Sequence, residues 1–271
     1  MDLDPLSAIS PIDGRYHDRA RALAQWFSEK ALMRYRLHVE LEYFTFLCEL
    51  PLPELAGAPV EQLRAVRERI DALSTSDAQR IKDIEKVTNH DVKAVEYFLK
   101  ERLEEAGLGK QKEFVHFALT SQDVNNTALP LLIKDFLQAA YLPAIIGLRD
   151  ALHGLALDWA QVPMLARTHG QPASPTRLGK ELQVFVERLD HQLRSLRDVP
   201  FSGKFGGATG NFNAHHAAYP EIDWVACADD FLERRLGLKR QQFTTQIEHY
   251  DHLAALFDAI RRLNTILIDL S

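Results

Sequence analysis

Apolar residues recur along this chain at intervals of three and four. Val92, Val95, Leu99 and Leu103 fall on one helical stripe, and Leu178, Leu182, Phe185, Leu189, Leu193 and Leu196 on another. A third stripe, Leu253, Leu256, Ile260, Leu263, Leu267 and Leu270, runs to the last residue with no Gly, Asn or Pro stop after it. Two-residue alternation over a strand length is hard to find. The pattern predicts one very long helix from about Asp123 to Trp159, roughly 55 Å at 1.5 Å per residue. Pro143 sits inside it and is expected to kink or interrupt it, because its ring removes a backbone donor. Long helices joined by short Pro/Gly turns imply an all-α, long-helix bundle rather than a layered α/β fold.

Irregular stretches punctuate the helices. A Pro/Gly loop covers Pro51 to Pro59, and Gly107 to Lys112 ends a helix begun near Asn89. That second break divides a smaller helical N-terminal domain, residues 1–111, from a central bundle domain, residues 112–271. A third loop, Pro200 to Pro220, is rich in glycine and carries Asn211, Asn213, His215 and His216. The unstopped final stripe leads us to expect a longer natural chain, with the bundle incomplete at Ser271.

Composition narrows the class. Apolar residues make up 46% and charged residues 26%, as in ordinary globular chains. The net charge of -6 lacks the basic excess of a nucleic-acid binder, so any grip on phosphate must be local. Cys48 and Cys227 fit buried reduced thiols better than a disulfide, which suits a cytoplasmic location. No run of about 18 uncharged apolar residues is present, so no membrane span is expected.

Several polar groups could carry chemistry. Thr88 with Asp91, and Thr120 with Asp123, match the capping-box spacing. Such segments are either plain helix caps or anion sites, since helix N-termini offer free N–H groups and partial positive charge. His169 lies in the Gly/Pro-bounded stretch Arg167-Thr168-His169-Gly170-Gln171-Pro172-Ala173, where an imidazole can exchange protons near neutral pH; a structural histidine is the plain alternative. The run Gly203 to Gly210 fails both the Walker and the dinucleotide patterns, leaving a substrate-lining loop or a surface loop. His249 and His252, beside Glu248 and Asp251, could hint at a metal, yet the adjoining apolar stripe favours a solvated helix flank.

Taken together these segments resemble the adenylosuccinate lyases of the fumarase/aspartase superfamily, the bacterial form above all. The resemblance is carried by Ser10-Pro11-Ile12-Asp13-Gly14-Arg15-Tyr16, by TNHDVKAVEYFLKE from Thr88 to Glu101, by Thr120-Ser121-Gln122-Asp123-Val124-Asn125-Asn126, by Thr168 to Pro172, and by Thr244 to Glu248. The Thr88–Glu101 segment is specific to these lyases, which separates them from argininosuccinate lyases. The resemblance implies β-elimination of fumarate from adenylosuccinate and from the succinyl-carboxamide ribonucleotide of purine synthesis. It implies His169 as general acid, and Thr120 and Ser121 on the succinyl carboxylate or phosphate end. Asn89, His90 and Asp91 would lie around the nucleotide, Arg15 and Tyr16 would grip its phosphate, and Gln246 its polar edge. It implies no metal, no cofactor, and a homotetramer whose sites draw on three chains. The family's third block, a mobile serine-bearing loop that supplies the base, has no counterpart here, so these 271 residues alone are expected to turn over little substrate. A non-catalytic helical scaffold, in which the polar segments are only caps, is the rival from another class.

Overall fold

The computed structural model describes residue 4 and residues 6–271. Two short helical turns, α1 (His17–Ala20) and α2 (Ala24–Phe27), lead into α3 (Glu29–Glu49), which starts where the Ser28 hydroxyl accepts the Ala31 N–H. Three helices follow: α4 (Leu63–Asp71), α5 (Thr75–Thr88) and α6 (Asp91–Glu105). They enclose a core that α3 feeds with Met33, Leu37, Leu41 and Phe44, and α6 with Val95, Phe98, Leu99 and Leu103. The α6 stripe seen in the sequence is therefore the buried face of that helix. At its end the Leu108 N–H reaches back to the Leu103 carbonyl at 2.8 Å, the six-to-one bond of a Schellman end, and both side chains are fully buried.

The long helix is present, with its irregularity just ahead of the expected place. α7 (Ser121–Phe136) passes through a π turn, Leu137–Tyr141, into α8 (Leu142–Asp158). The Leu142 N–H bonds to the Leu137 carbonyl, five residues back. This wider turn relieves the clash that the Pro143 ring would make with a carbonyl four residues before it. By length and composition the continuous helix Ser121–Asp158 could cross a membrane, contrary to the expectation from uncharged runs; Lys134 and Asp135 interrupt the run without lowering the mean enough. Core helices of soluble proteins pass the same criterion.

Strands are also present. β1 (Pro163–Thr168) pairs antiparallel with β2 (Gln171–Arg177), and nearly every residue of both is exposed or half-exposed, which is why no apolar/polar alternation announced them. α9 (Leu178–Arg197) follows directly. β3 (Ser202–Gly203) lies parallel to β4 (Lys239–Arg240); between them run α10 (Asn213–Ala218), α11 (Trp224–Asp230) and a second π turn, Phe231–Leu236. α12 (Asp251–Leu270) closes the chain.

Two compact units result. One comprises the chain through Ile133 together with Ser202–His249; the other comprises Lys134–Phe201 with Tyr250–Ser271. The turn at Gly107–Lys112, taken from sequence as a boundary, lies inside the first unit. In the second, α8, α9 and α12 bury Leu152, Ala156, Val186, Leu189, Leu193, Leu256, Leu263 and Ile266. Arg149 clamps Asp190 with two hydrogen bonds, 2.8 and 2.9 Å, and so ties α8 to α9. Leu157, Phe257 and Ile268 stay more than half exposed.

In the first unit, the chain at Gly203 crosses α7 where Pro130 cannot donate to the Asn126 carbonyl. A Cβ on Gly203 would lie 2.9 Å from that oxygen and 3.2 Å from the Thr127 methyl. We predict that Gly203→Ala lowers stability by about 1–3 kcal/mol in urea titrations; an unchanged midpoint would show that the two segments can separate freely.

Candidate active site

The N-terminal tip of α6 is built differently from a capping box. Thr88 is the last residue of α5 and its hydroxyl donates to the His90 carbonyl. Asn89 takes the left-handed conformation that ends α5, and His90 itself caps α6, its Nδ1 accepting the Lys93 N–H at 3.2 Å. Asp91 accepts from the Val92 N–H and, at 2.7 Å, from Arg36 Nη2. Arg36 also donates through Nε to Asn125 Oδ1 at 2.9 Å, so one guanidinium from α3 clips the tip of α6 to the first turns of α7. Burial pushes the Asp91 carboxyl up, but the Arg36 charge with the Val92 and Arg36 hydrogen bonds outweighs it and holds the group below the usual range. His90 and Asp91 remain half exposed, available to a ligand.

The tip of α7 forms half of the expected box. The Thr120 N–H donates to Asp123 Oδ2 at 2.8 Å, while Gln246 Nε2 approaches the Thr120 hydroxyl at 3.4 Å. Asp123 is fully buried, and its other partners are the N–H groups of Gly206 and Gly207, at 2.9 and 3.1 Å, and Lys204 Nζ at 2.7 Å. The glycine-rich run is thus neither a substrate-lining loop nor a surface loop over most of its length. Ser202 to Gly207 are buried, and their amides cradle a carboxylate of the same chain; only Ala208 and Thr209 are exposed. Past them the loop closes on the Thr244–Gln246 segment, for a Cβ on Gly210 would lie 2.5 Å from the Thr244 carbonyl oxygen. The first unit therefore gathers Thr120, Ser121 and Gln246 in one place.

Behind this tip is a buried polar layer that the pattern of apolar residues did not reveal. His116 and Ala118, both at positive φ, lead into Thr120. Glu40, wholly buried on α3, meets His116 Nδ1 at 2.5 Å; burial pulls this imidazole down, but the Glu40 charge and hydrogen bond outweigh it and keep the ring's pKa above its ordinary value. The Tyr43 hydroxyl donates to the Phe117 carbonyl at 3.2 Å and lies 3.1 Å from His215 Nε2, which therefore donates to it. Burial, then the nearby Asp123 and Glu40 charges, push the Tyr43 phenol well above its usual value. His215 is completely buried against Trp224, 4.9 Å between ring centroids, and burial drives its pKa down to about 4. The signal for this layer was available: Arg36 and Glu40 interrupt the apolar face of α3 beside Leu37 and Leu41.

His169 belongs to the second unit. The Gly/Pro-bounded stretch is the tip of the β1–β2 hairpin, where Thr168 pairs with Gln171 and both intervening residues take positive φ, +51° for His169 and +77° for Gly170, as type I′ loops require. Helix α9 begins only after the second strand. The His169 side chain is exposed and has no hydrogen-bond partner among the described residues. Arg15 and Tyr16 are exposed ahead of α1, the guanidinium 5.7 Å from the phenol ring centroid, on the rim of a cavity of about 410 Å³. No hydrogen bond joins either to the tips of α6 or α7 among the described residues. His249 Nε2 lies 2.9 Å from the Phe243 carbonyl, ahead of α12, and no cluster of three His, Cys, Asp or Glu side chains is placed to hold a metal among the described residues. Cys48 and Cys227 are both free.

A family model described as Lyase matches residues 14–271, and the chain belongs to that family. Its relatives include the adenylosuccinate lyase of Dictyostelium discoideum, 50% identical over 277 residues, covering 100% of this chain and 59% of the relative. The adenylosuccinate lyase of Escherichia coli strain K12 is 44% identical over 274 residues, covering 99% of this chain and 59% of the relative. The chain thus spans 59% of the length of these curated relatives. Among solved structures, a fumarate lyase from Mesorhizobium sp. BNC1 superposes with TM-score 0.70 at 22% identity, covering 93% of this chain and 55% of that one. A β-carboxy-cis,cis-muconate cycloisomerase from Acinetobacter calcoaceticus does so at 0.71 and 19%, covering 92% and 56%. These two share the fold.

The His215 shift has a defined sign. Its folded pKa, about 4, lies below the ordinary 6.5, so the unfolded chain takes up the proton first. The histidine's contribution is intact above pH 6.5 and is lost as pH falls toward 4, by roughly 3 kcal/mol in all. Urea titrations at pH 7 and pH 4.5 should show this loss, and His215→Gln should reduce it. Equal pH slopes for both proteins would contradict it.

Proposed function

We propose that in the natural protein this chain takes part in β-elimination of fumarate from adenylosuccinate, giving AMP, and from the succinyl-carboxamide ribonucleotide of purine synthesis. The observation that carries the proposal is the similarity to adenylosuccinate lyases along the whole chain. The geometry of the first unit supports it. Two helix tips, one bearing Asn89, His90 and Asp91 and the other Thr120 and Ser121, are tied together through Arg36, and Gln246 reaches the second. Helix N-termini favour carboxylate and phosphate groups, which this class of substrate carries.

The elimination needs a base to remove a proton from the carbon beside a carboxylate and an acid to protonate the departing nitrogen. His169 is the acid: its imidazolium gives a proton to the nitrogen as the carbon–nitrogen bond breaks, and the electron pair of the C–H bond becomes the double bond of fumarate. Thr120 and Ser121 hold the succinyl carboxylate or the phosphate, where hydroxyl and N–H donors meet the developing charge. Asn89, His90 and Asp91 line the nucleotide, Arg15 and Tyr16 grip phosphate, and Gln246 steadies the polar edge. The base belongs to a serine loop with no counterpart in these 271 residues. We place the working protein in the cytoplasm as a homo-oligomer, a homotetramer by resemblance.

In the natural protein, His169→Ala should lower kcat by about 10²–10⁴-fold while leaving KM nearly unchanged, followed by absorbance as adenylosuccinate is consumed. A raised KM with normal kcat would make this residue a binding group instead. A thermal shift with AMP and fumarate separates the lyase from a non-catalytic scaffold: a ligand at 100 times its Kd adds about 2.7 kcal/mol of stability, and no shift with any purine nucleotide would favour the scaffold.

A further inference from the structure

Asp123 occupies the third position of α7, where a carboxylate ordinarily caps the helix and neutralises its positive end. A negative charge there would compete with any anionic ligand of the tip. In this chain the charge is answered from elsewhere. Lys204, as completely buried as Asp123, places Nζ 2.7 Å from Oδ1 and donates again to the Gly207 carbonyl at 2.6 Å. The same carboxylate takes the Thr120 N–H and the Gly206 and Gly207 N–H groups. The glycines are required at this contact. A Cβ on Gly207 would lie 3.2 Å from the Ala118 carbonyl oxygen, and one on Gly206 only 3.0 Å from that of Gly210. Through Gly210 the loop bears on Thr244, two residues from the Gln246 side chain that reaches Thr120.

We propose that Asp123 and Lys204 are a buried positioning pair for the lyase site. The carboxylate fixes the Thr120–Ser121 tip against the Thr244–Gln246 segment, and the ammonium cancels its charge so that the tip stays positive toward an anionic substrate group. The inference rests on the lyase function proposed above. Neither side chain touches substrate, and the pair acts through Thr120 and Ser121.

The two residues then have effects of unequal size on anion affinity at a similar loss of stability, which a merely structural pair lacks. Removing either one leaves an unpaired buried charge and lowers stability, whereas replacing both by neutral groups restores much of it. Removing Lys204 alone leaves a bare carboxylate at the tip; removing Asp123 alone leaves a cation. The test uses the natural protein with Lys204→Met, Asp123→Asn and the double variant, read by thermal midpoint, by fumarate Kd from calorimetry, and by KM and kcat on adenylosuccinate.

We expect Lys204→Met to raise fumarate Kd and KM by roughly five- to tenfold. Asp123→Asn should raise them less at a similar loss of midpoint, with kcat changed little in either. The double variant should regain its midpoint while KM stays raised, because Asn cannot serve the Thr120 and glycine donors together. If a single variant fails to fold, the double variant carries the test alone. Affinities that simply track the midpoint, or a double variant with wild-type KM, would overturn the proposal while the wild-type activity upholds the lyase function. A wild-type protein that neither cleaves adenylosuccinate nor binds fumarate would bring down both.

Discussion

A carboxylate removed from water is the constraint around which the first unit is arranged. An isolated buried charge costs several kcal/mol, and it persists only where donors and a counter-charge surround it. Asp123 meets that demand with the Thr120 and glycine N–H groups and the Lys204 ammonium, drawn from two stretches about eighty residues apart in sequence. Satisfying one carboxylate thus fixes where α7 begins and how the glycine-rich run is threaded. Through the contact at Gly210 it also sets where the Thr244–Gln246 segment lies. The glycines serve close approach and amide donation to the chain itself.

Helix α3 distributes the same kind of interaction outward. Its apolar residues face the core, yet Arg36, Glu40 and Glu42 are also buried. Each points to a different part of the unit: Arg36 to Asp91 and Asn125, Glu40 to His116, and Glu42 to Arg67 on α4 at 2.5 Å and Arg235 in the second π turn. Apolar packing would hold these helices together without specifying their rotation or register closely. Charged pairs have directions, and those of Arg36 and Glu40 end on the segments that carry the candidate site.

The difference between what was legible in the sequence and what was not follows from this division of labour. Burial with a helical period shows in one dimension, so the α6 stripe, the bundle class and the long α7–α8 helix were all readable. The hairpin was not, because strands exposed on both faces leave no alternation. Thr88 and Asp91 matched a capping box by spacing, yet the turn is shorter: Asn89 ends α5 and His90 takes the cap. Arg36, Glu40 and Lys204 went unnoticed because a charged residue gives no hint of its partner when that partner lies 55, 76 or 81 residues away. The motif segments were legible as residues, while the joint that assembles Thr120 with Gln246 exists only in three dimensions.

Backbone strain marks the same places. The non-glycine residues at positive φ are Asn89, His116, Ala118, His169, Phe212 and Tyr250 among the described residues. Asn and His tolerate this region better than most side chains, but alanine gains nothing there, and each such residue costs on the order of 1–2 kcal/mol. The strain is held by its surroundings: the Asn89 N–H bonds to the Glu85 carbonyl at 2.7 Å, His116 is gripped by Glu40, and the Leu119 N–H closes on the His116 carbonyl across Ala118. Asn89, His116 and Ala118 each stand within four residues of a helix tip that bears candidate binding groups, and His169 is itself the tip of the hairpin. A chain bent sharply just before a helix presents the first N–H groups and capping side chains of that helix outward instead of covering them with preceding residues. Conformational cost concentrated at those bends, and stabilised by buried ion pairs behind them, is what an architecture needs if its helix ends are to meet an anion.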